Sequence, residues 1–151
     1  MTRPRTRRTL TVPLAKLRTI DEVPYPPAFS AGAKLVMVSW AVYPALDPTR
    51  PAGLSAPIVQ GELRGRLGFT GVTITDALEA DALNPYGTIA HRALLAAQAG
   101  MDLILCSAES TTEGTECLSG LEGGYASGAL PSPGFQAAAA RVMALRASLP
   151  Q

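Results

Sequence analysis

The chain has 151 residues, of which 47% are apolar and 17% charged, and its net charge is +1. That is long enough for one domain with a real core and too apolar for a disordered segment. It is too nearly neutral for a global field that would recruit nucleic acid or an anionic membrane, and no apolar run reaches bilayer length.

The start, MTRPRTRRTL, carries four arginines and no apolar segment. It is therefore not a secretory signal. Residues 1–9 read as a basic, disordered start, with an arm for an acidic partner as the other reading, and the default location is the cytoplasm. PLAKLRTIDEVP has helical spacing at Leu14, Leu17 and Val23. YPPAF then interrupts it, because Pro26 and Pro27 cannot continue a helix. Residues 34–39, KLVMVS, are an apolar, β-branched strand of the kind covered on both faces. A long loop follows, punctuated by Pro44, Pro48 and Pro51.

Ser55 is placed to cap a helix in which Val59, Leu63 and Leu67 recur, and Gly68 sits where the chain must turn with positive φ. The second strand is VTIT, 72–75. A helix starts at Thr88, with Ile89, Ala93 and Ala97 on one stripe, and stops at Gly100. The third strand is DLILCS, 102–107. A loose helical segment carries Leu118, Leu121 and Tyr125. The last helix opens at Ser132-Pro133 and aligns Phe135, Ala139, Val142, Leu145 and Leu149. Helices alternating with apolar strands give an α/β protein built of parallel βαβ units. An open doubly wound sheet and a piece of a barrel read alike at this level.

In parallel α/β folds reactive groups sit where strands end. Asp76 stands one residue past VTIT, and two readings compete for it. It is either a reactive carboxylate or an N-cap, with Glu79 completing a capping box. Trp40, directly after the first strand, is either a loop aromatic filling the top of the core or a flat face for a sugar ring. His91 is the only histidine and lies mid-helix without a partner at matching spacing, as a surface residue does. GRLGFTG precedes a strand rather than following one, so it is no phosphate loop. Cys106 and Cys117 form no CxxC pair and read as reduced packing thiols; no metal site or cofactor is expected.

Four stretches carry a family resemblance: AGAKLVMVSWAVYPALDPTRPAGLS, IVQGELRGRLGFTGVTITDALEADAL, YGTIAHRALLAAQAGMDLILC and SGALPSPGFQAAAARVMALR. In this order they resemble the C-terminal part of the catalytic barrel of glycoside hydrolase family 3, in its β-N-acetylhexosaminidase-like branch. The resemblance implies a partial (β/α)8 TIM barrel, roughly its last three βα units, over residues 10–151. It also implies a retaining β-glycosidase in which Asp76, matching the terminal Asp of the family's strand motif, is the nucleophile that forms a covalent glycosyl-enzyme. The implied substrate is a carbohydrate, a β-linked N-acetylglucosamine or glucose.

The chain departs from the family pattern in three places. Trp40 stands where this branch usually carries His, so a stacking contact with the sugar would replace a hydrogen bond. The residues after Asp76 read ALEADAL, without a second acidic residue directly after the nucleophile. The family's acid/base His belongs to a loop with a Lys-His-Phe-Pro-Gly-His-like motif, which this chain does not contain. A complete barrel takes about 250 residues. The expectation is therefore a chain that lacks its proton donor and associates with itself or with a complementing barrel fragment, its open strand edges favouring association. The competing expectation is a non-catalytic α/β association module.

Overall fold

The computed structural model describes residues 8–150, and the disordered start expected over 1–9 falls mostly on residues 1–7, outside the described residues. Arg8 and Leu10 pair through their backbones with Val42, which receives the Arg8 carbonyl on its N–H and returns its own carbonyl to Leu10.

Strand β1 (Leu35–Val38) lies parallel to β2 (Val72–Thr75), in the register Leu35↔Val72 to Val38↔Thr75. The expected third strand is present only as a parallel bridge, Ile74↔Leu103. Side chains intercept its ladder. The Thr75 hydroxyl accepts the Leu105 N–H at 2.9 Å, and the Asp102 carboxylate accepts the Thr73 N–H at 2.9 Å. The segment therefore runs beside β2 without becoming a regular strand.

Alternation along the paired strands sorts their side chains into two faces. Val38, Thr73 and Thr75 are buried on one. Leu35 and Met37 stand on the other, 47% and 57% exposed, with Ile74 beside Met37. Val72, on that same open face, is nevertheless buried. The core lies behind the covered face, where Leu54, Val59, Phe69, Leu78, Leu83, Ala93 and Ala96 pack together.

Helix α1 (Leu14–Lys16) widens into a π-type turn, Leu17–Asp21, and buries Leu17. The first helical segment does break before YPPAF, over residues 22–24, but the prolines do not prevent a new helix. Tyr25–Ser30 is helix α2, because both prolines fall in its first turn, where no intrahelical N–H is required. The helix expected after Ser55 is π-type, Pro57–Arg66; the Ser55 hydroxyl accepts the Ile58 N–H, and Gly68 turns the chain with φ 75°.

Helix α3 (Ile89–Ala99) has the expected ends, a Thr88 cap and Gly100 at φ 98°, but its buried residues are Arg92, Ala93, Ala96 and Ala99. Helix α4 (Thr111–Ala126) is regular rather than loose, and its covered side carries Glu113, Cys117 and Gly124. Leu118 and Tyr125, expected on the apolar stripe, are exposed. The reason is close approach: a Cβ on Gly120 would stand 2.2 Å from the Ala90 carbonyl oxygen, and one on Gly124 would stand 2.5 Å from Leu94. Helix α5 (Ser132–Ala147) begins as expected but buries none of its residues. Cys106 and Cys117, expected as separate reduced thiols, are joined in a disulfide between the third β segment and α4.

The end of the sheet where its strands begin is fixed by a buried ionic cluster. The Asp102 carboxylate has no exposed surface; it receives Arg64 at 2.6 Å on one oxygen and Arg141 at 2.7 Å on the other. Arg64 comes from the π-type helix, Arg141 from α5, and Thr73 from β2 adds its N–H. Four elements thus meet on one carboxylate.

Candidate active site

The opposite end of the sheet gathers the candidate residues. Parallel strands deliver their following residues to one end, and here these are Trp40 after β1 and Asp76 after β2. Ser107 follows the third segment at the same end.

Asp76 is half-buried and does not cap a helix. Its N–H donates to the Val38 carbonyl at 3.2 Å, carrying the parallel pairing one residue past β2. Its Oδ1 accepts the N–H of Ala77 at 2.8 Å. The chain then makes a turn and enters a 3-10 helix, Asp81–Tyr86. The capping box does not form either, because Glu79 accepts the Ser107 hydroxyl at 2.6 Å instead. Asp76 shares its sheet face with the exposed Met37 and with Ile74, by alternation from the register.

The peptides after Asp76 are held one by one. The Trp40 indole N–H donates to the Ala77 carbonyl at 2.8 Å. Leu78 donates its N–H to the Leu105 carbonyl at 3.0 Å. Its own carbonyl receives the Arg92 guanidinium at 2.8 Å, which also bonds the Gly87 carbonyl and the Asn84 side chain. The Asp76 segment is therefore a rigid loop end, as a reacting carboxylate requires.

Trp40 itself is 5% exposed and part of the core, with its six-membered ring against Gly53. Of its two sequence readings, the packing one describes its position, and little of the ring is open for stacking. His91 is exposed on α3. Among the described residues no cluster of three or more His, Cys, Asp or Glu could hold a metal ion, and no helix is long and apolar enough to cross a membrane.

Of two carboxylates beside the loop, sequence singled out Glu79, as a capping-box partner, and not Glu113. Glu113, on α4, is 5% exposed; its Oε2 accepts the Ala108 N–H at 2.8 Å, and its carboxyl interacts with that of Glu79. Burial pushes the Glu113 carboxyl up, and Glu79 and Glu116 add to the rise against the Ala108 N–H. Burial also opposes ionisation of Glu79, but hydrogen bonds led by that of Ser107 hold it below its ordinary value. The second missed carboxylate, Asp47, lies in the loop after β1 and accepts from Ser55, Thr49 and Arg50. Burial works against its charge, yet these bonds bring it down to about 2. DPTRP, an Asx-turn composition, was its available signal; Arg92 and Glu113 gave none beyond lying on helix faces with small residues.

A groove of about 300 Å³ runs along β1, between Leu17, Tyr25, Met37 and Leu63. A second, of about 550 Å³, lies beneath α5 against Leu103, Leu121 and Val142. Neither is lined by Asp76 or Trp40.

Residues 5–145 match the family described as the glycosyl hydrolase family 3 N terminal domain. An uncharacterised secreted glycosyl hydrolase of Arthroderma benhamiae is 44% identical over 90% of this chain and 38% of its own length. A β-hexosaminidase of Xylella fastidiosa is 36% identical over 72% of this chain and 32% of its own. Among solved structures, a family 3 β-N-acetylglucosaminidase of a Paenibacillus species superposes with a TM-score of 0.89 and 29% identity, over 96% of this chain and 28% of that one. A β-N-acetylhexosaminidase of Beutenbergia cavernae gives a TM-score of 0.80 and 30% identity, over 94% and 43%. The chain thus spans well under half the length of these relatives.

Proposed function

The chain belongs to the glycosyl hydrolase family 3 N-terminal domain family, and from that premise we propose that it carries the nucleophile of a retaining β-N-acetylhexosaminidase site. Asp76 is that nucleophile. The observation that carries the reading is its placement: a half-buried carboxylate at the C-terminal end of a parallel strand, on the open sheet face, followed by peptides that are individually hydrogen-bonded. In the reaction its carboxylate attacks the anomeric carbon and a covalent glycosyl-enzyme forms. A separate acid protonates the leaving oxygen, then as a base activates water; no residue of this chain is assigned that role. Trp40 contributes by holding the Ala77 carbonyl.

The chain is proposed to be the last three βα units of a (β/α)8 barrel. The exposed Leu35 and Met37, and the edge of β1 that has no second strand beside it among the described residues, support completion by further polypeptide or by association. The absence of Asp76 from either groove fits a pocket whose other walls come from elsewhere. The second reading is a non-catalytic α/β module, which the absence of Asp76 from either groove also fits.

An activated substrate separates the two. A dinitrophenyl β-N-acetylglucosaminide leaves without a proton, so the loss of roughly 10²–10⁴-fold that follows removal of a general acid does not apply. Incubation followed by peptide mass spectrometry is expected to find a hexosaminyl adduct on Asp76, lost in Asp76→Asn. Label on another residue, or turnover that survives Asp76→Asn, removes the assignment; no label and no turnover favours the non-catalytic module.

A further inference from the structure

Glu79 Oε2 and Glu113 Oε1 are both buried, and as ionised carboxylate oxygens neither has a hydrogen-bond partner. The other oxygen of each is already engaged, Glu79 Oε1 by the Ser107 hydroxyl at 2.6 Å and Glu113 Oε2 by the Ala108 N–H at 2.8 Å. A buried acceptor left without a donor is costly, and because the two carboxyls interact with each other they do not both ionise readily. One proton between them removes both problems. We propose that Glu79 and Glu113 share a single proton and form a pH-sensitive latch joining the loop after β2, three residues on from Asp76, to the start of α4.

The surroundings fit that state. From α3, Arg92 is the nearby cation, and its guanidinium is directed at Leu78, Gly87 and Asn84. From α4 itself, Glu116 adds negative charge. From the loop after the third β segment come the hydroxyl and backbone of Ser107 toward Glu79 and the Ala108 N–H toward Glu113. The donor that Glu113 Oε1 needs is thus its own proton.

The pH window follows from the two directions. Glu113 is raised in the fold, so its contribution is complete below the unfolded value of 4.5 and is lost as pH rises through the folded value. Glu79 is depressed, so its contribution is present above 4.5 and is lost as pH falls through its folded value. The latch is closed between the two and opens on the alkaline side, when both carry charge. It does not rest on the role proposed for Asp76, because its readout is stability rather than turnover.

The experiment is a series of thermal melts of the full chain across pH, for wild type, Glu113→Gln and Glu113→Ala. The Gln amide supplies a permanent donor to Glu79. Wild type is expected to lose about 3–8 °C in Tm on the alkaline limb, whereas Glu113→Gln holds its Tm there. Glu113→Ala should be low at every pH. If wild type and Glu113→Gln fall together, the shared proton is not there. Should the variants fail to fold, infrared spectra of folded wild type at the lower edge of the limb decide. A protonated carboxyl band that vanishes on raising the pH supports the latch, and its absence overturns it.

Discussion

The indole N–H of Trp40 bonds the carbonyl of Ala77 at 2.8 Å, so the residue after β1 fixes the peptide immediately following Asp76. The contact crosses between two parallel strands and uses the one polar atom of a ring that is otherwise core. Trp40→Phe keeps most of the packing and removes the donor, and should cost about 1–2 kcal/mol. Trp40→Ala also opens a cavity and should cost about 3–5 kcal/mol. Hydrogen exchange at Ala77 and Leu78 measures the positioning effect. In Trp40→Phe, protection should fall there first and leave α3 unchanged; uniform loss along the chain would make Trp40 a packing residue only.

Asp102 anchors the other end of the sheet, with two arginines and the Thr73 N–H on a carboxylate that has no exposed surface. Asp102→Asn leaves Arg64 without its anion in a site where its side chain is 12% exposed. The loss should be about 3–5 kcal/mol, as for other broken buried pairs. Arg141 is more open, at 27%, and Arg141→Met should cost only about 1 kcal/mol. Denaturant midpoints of the two variants compare them directly, and equal losses would contradict the asymmetry of the cluster.

Both short paired strands, the glycine turns at Gly68 and Gly100, and the position of Asp76 were legible in the sequence, because alternation and positive-φ glycines report local backbone geometry. What was not legible depends on partners far along the chain. The capping box at Asp76 and Glu79 satisfies the local pattern, but the Ser107 hydroxyl takes Glu79 instead. Leu118 and Tyr125 mark a stripe on α4 by being its apolar residues. The helix in fact turns glycines and Glu113 inward, and composition scales do not count a glycine as a contact. The Cys106–Cys117 disulfide depends likewise on how α4 folds back on the third β segment. Family membership was legible from motif order, whereas the apolar spacing of α5 suggested a covered face and the helix buries none of its residues.

Glycines on α4 divide by what a methyl would meet. Gly114 and Gly123 face open space, so Ala at either should stabilise by about 0.5–1 kcal/mol through the unfolded chain. Gly120→Ala drives a Cβ to 2.2 Å from the Ala90 carbonyl oxygen, which is backbone and cannot swing away. It should lower stability by about 1–3 kcal/mol, the cost of overpacking. Opposite signs of the Tm shift for Gly114→Ala and Gly120→Ala test the α3–α4 contact; a rise in both would mean that the helices do not approach this closely.

Asp47 gives the chain an acid limit. Burial alone would raise its carboxyl, but the Ser55 hydroxyl, both donors of Thr49 and the Arg50 N–H bring it from 3.8 to about 2. A depressed value means stability that is complete above 3.8 and lost as pH falls through about 2. The amount at stake is roughly 2–3 kcal/mol, because each tenfold gain in acidity on folding is worth about 1.4 kcal/mol. Asp47→Asn turns an amide N–H2 toward the Ser55 hydroxyl or the loop N–H groups, and should lose that amount at neutral pH. Its Tm should then fall less than that of wild type between about pH 4 and pH 2, roughly the interval over which Asp47 titrates. Parallel acid limbs in the two proteins would assign the acid sensitivity to other carboxylates.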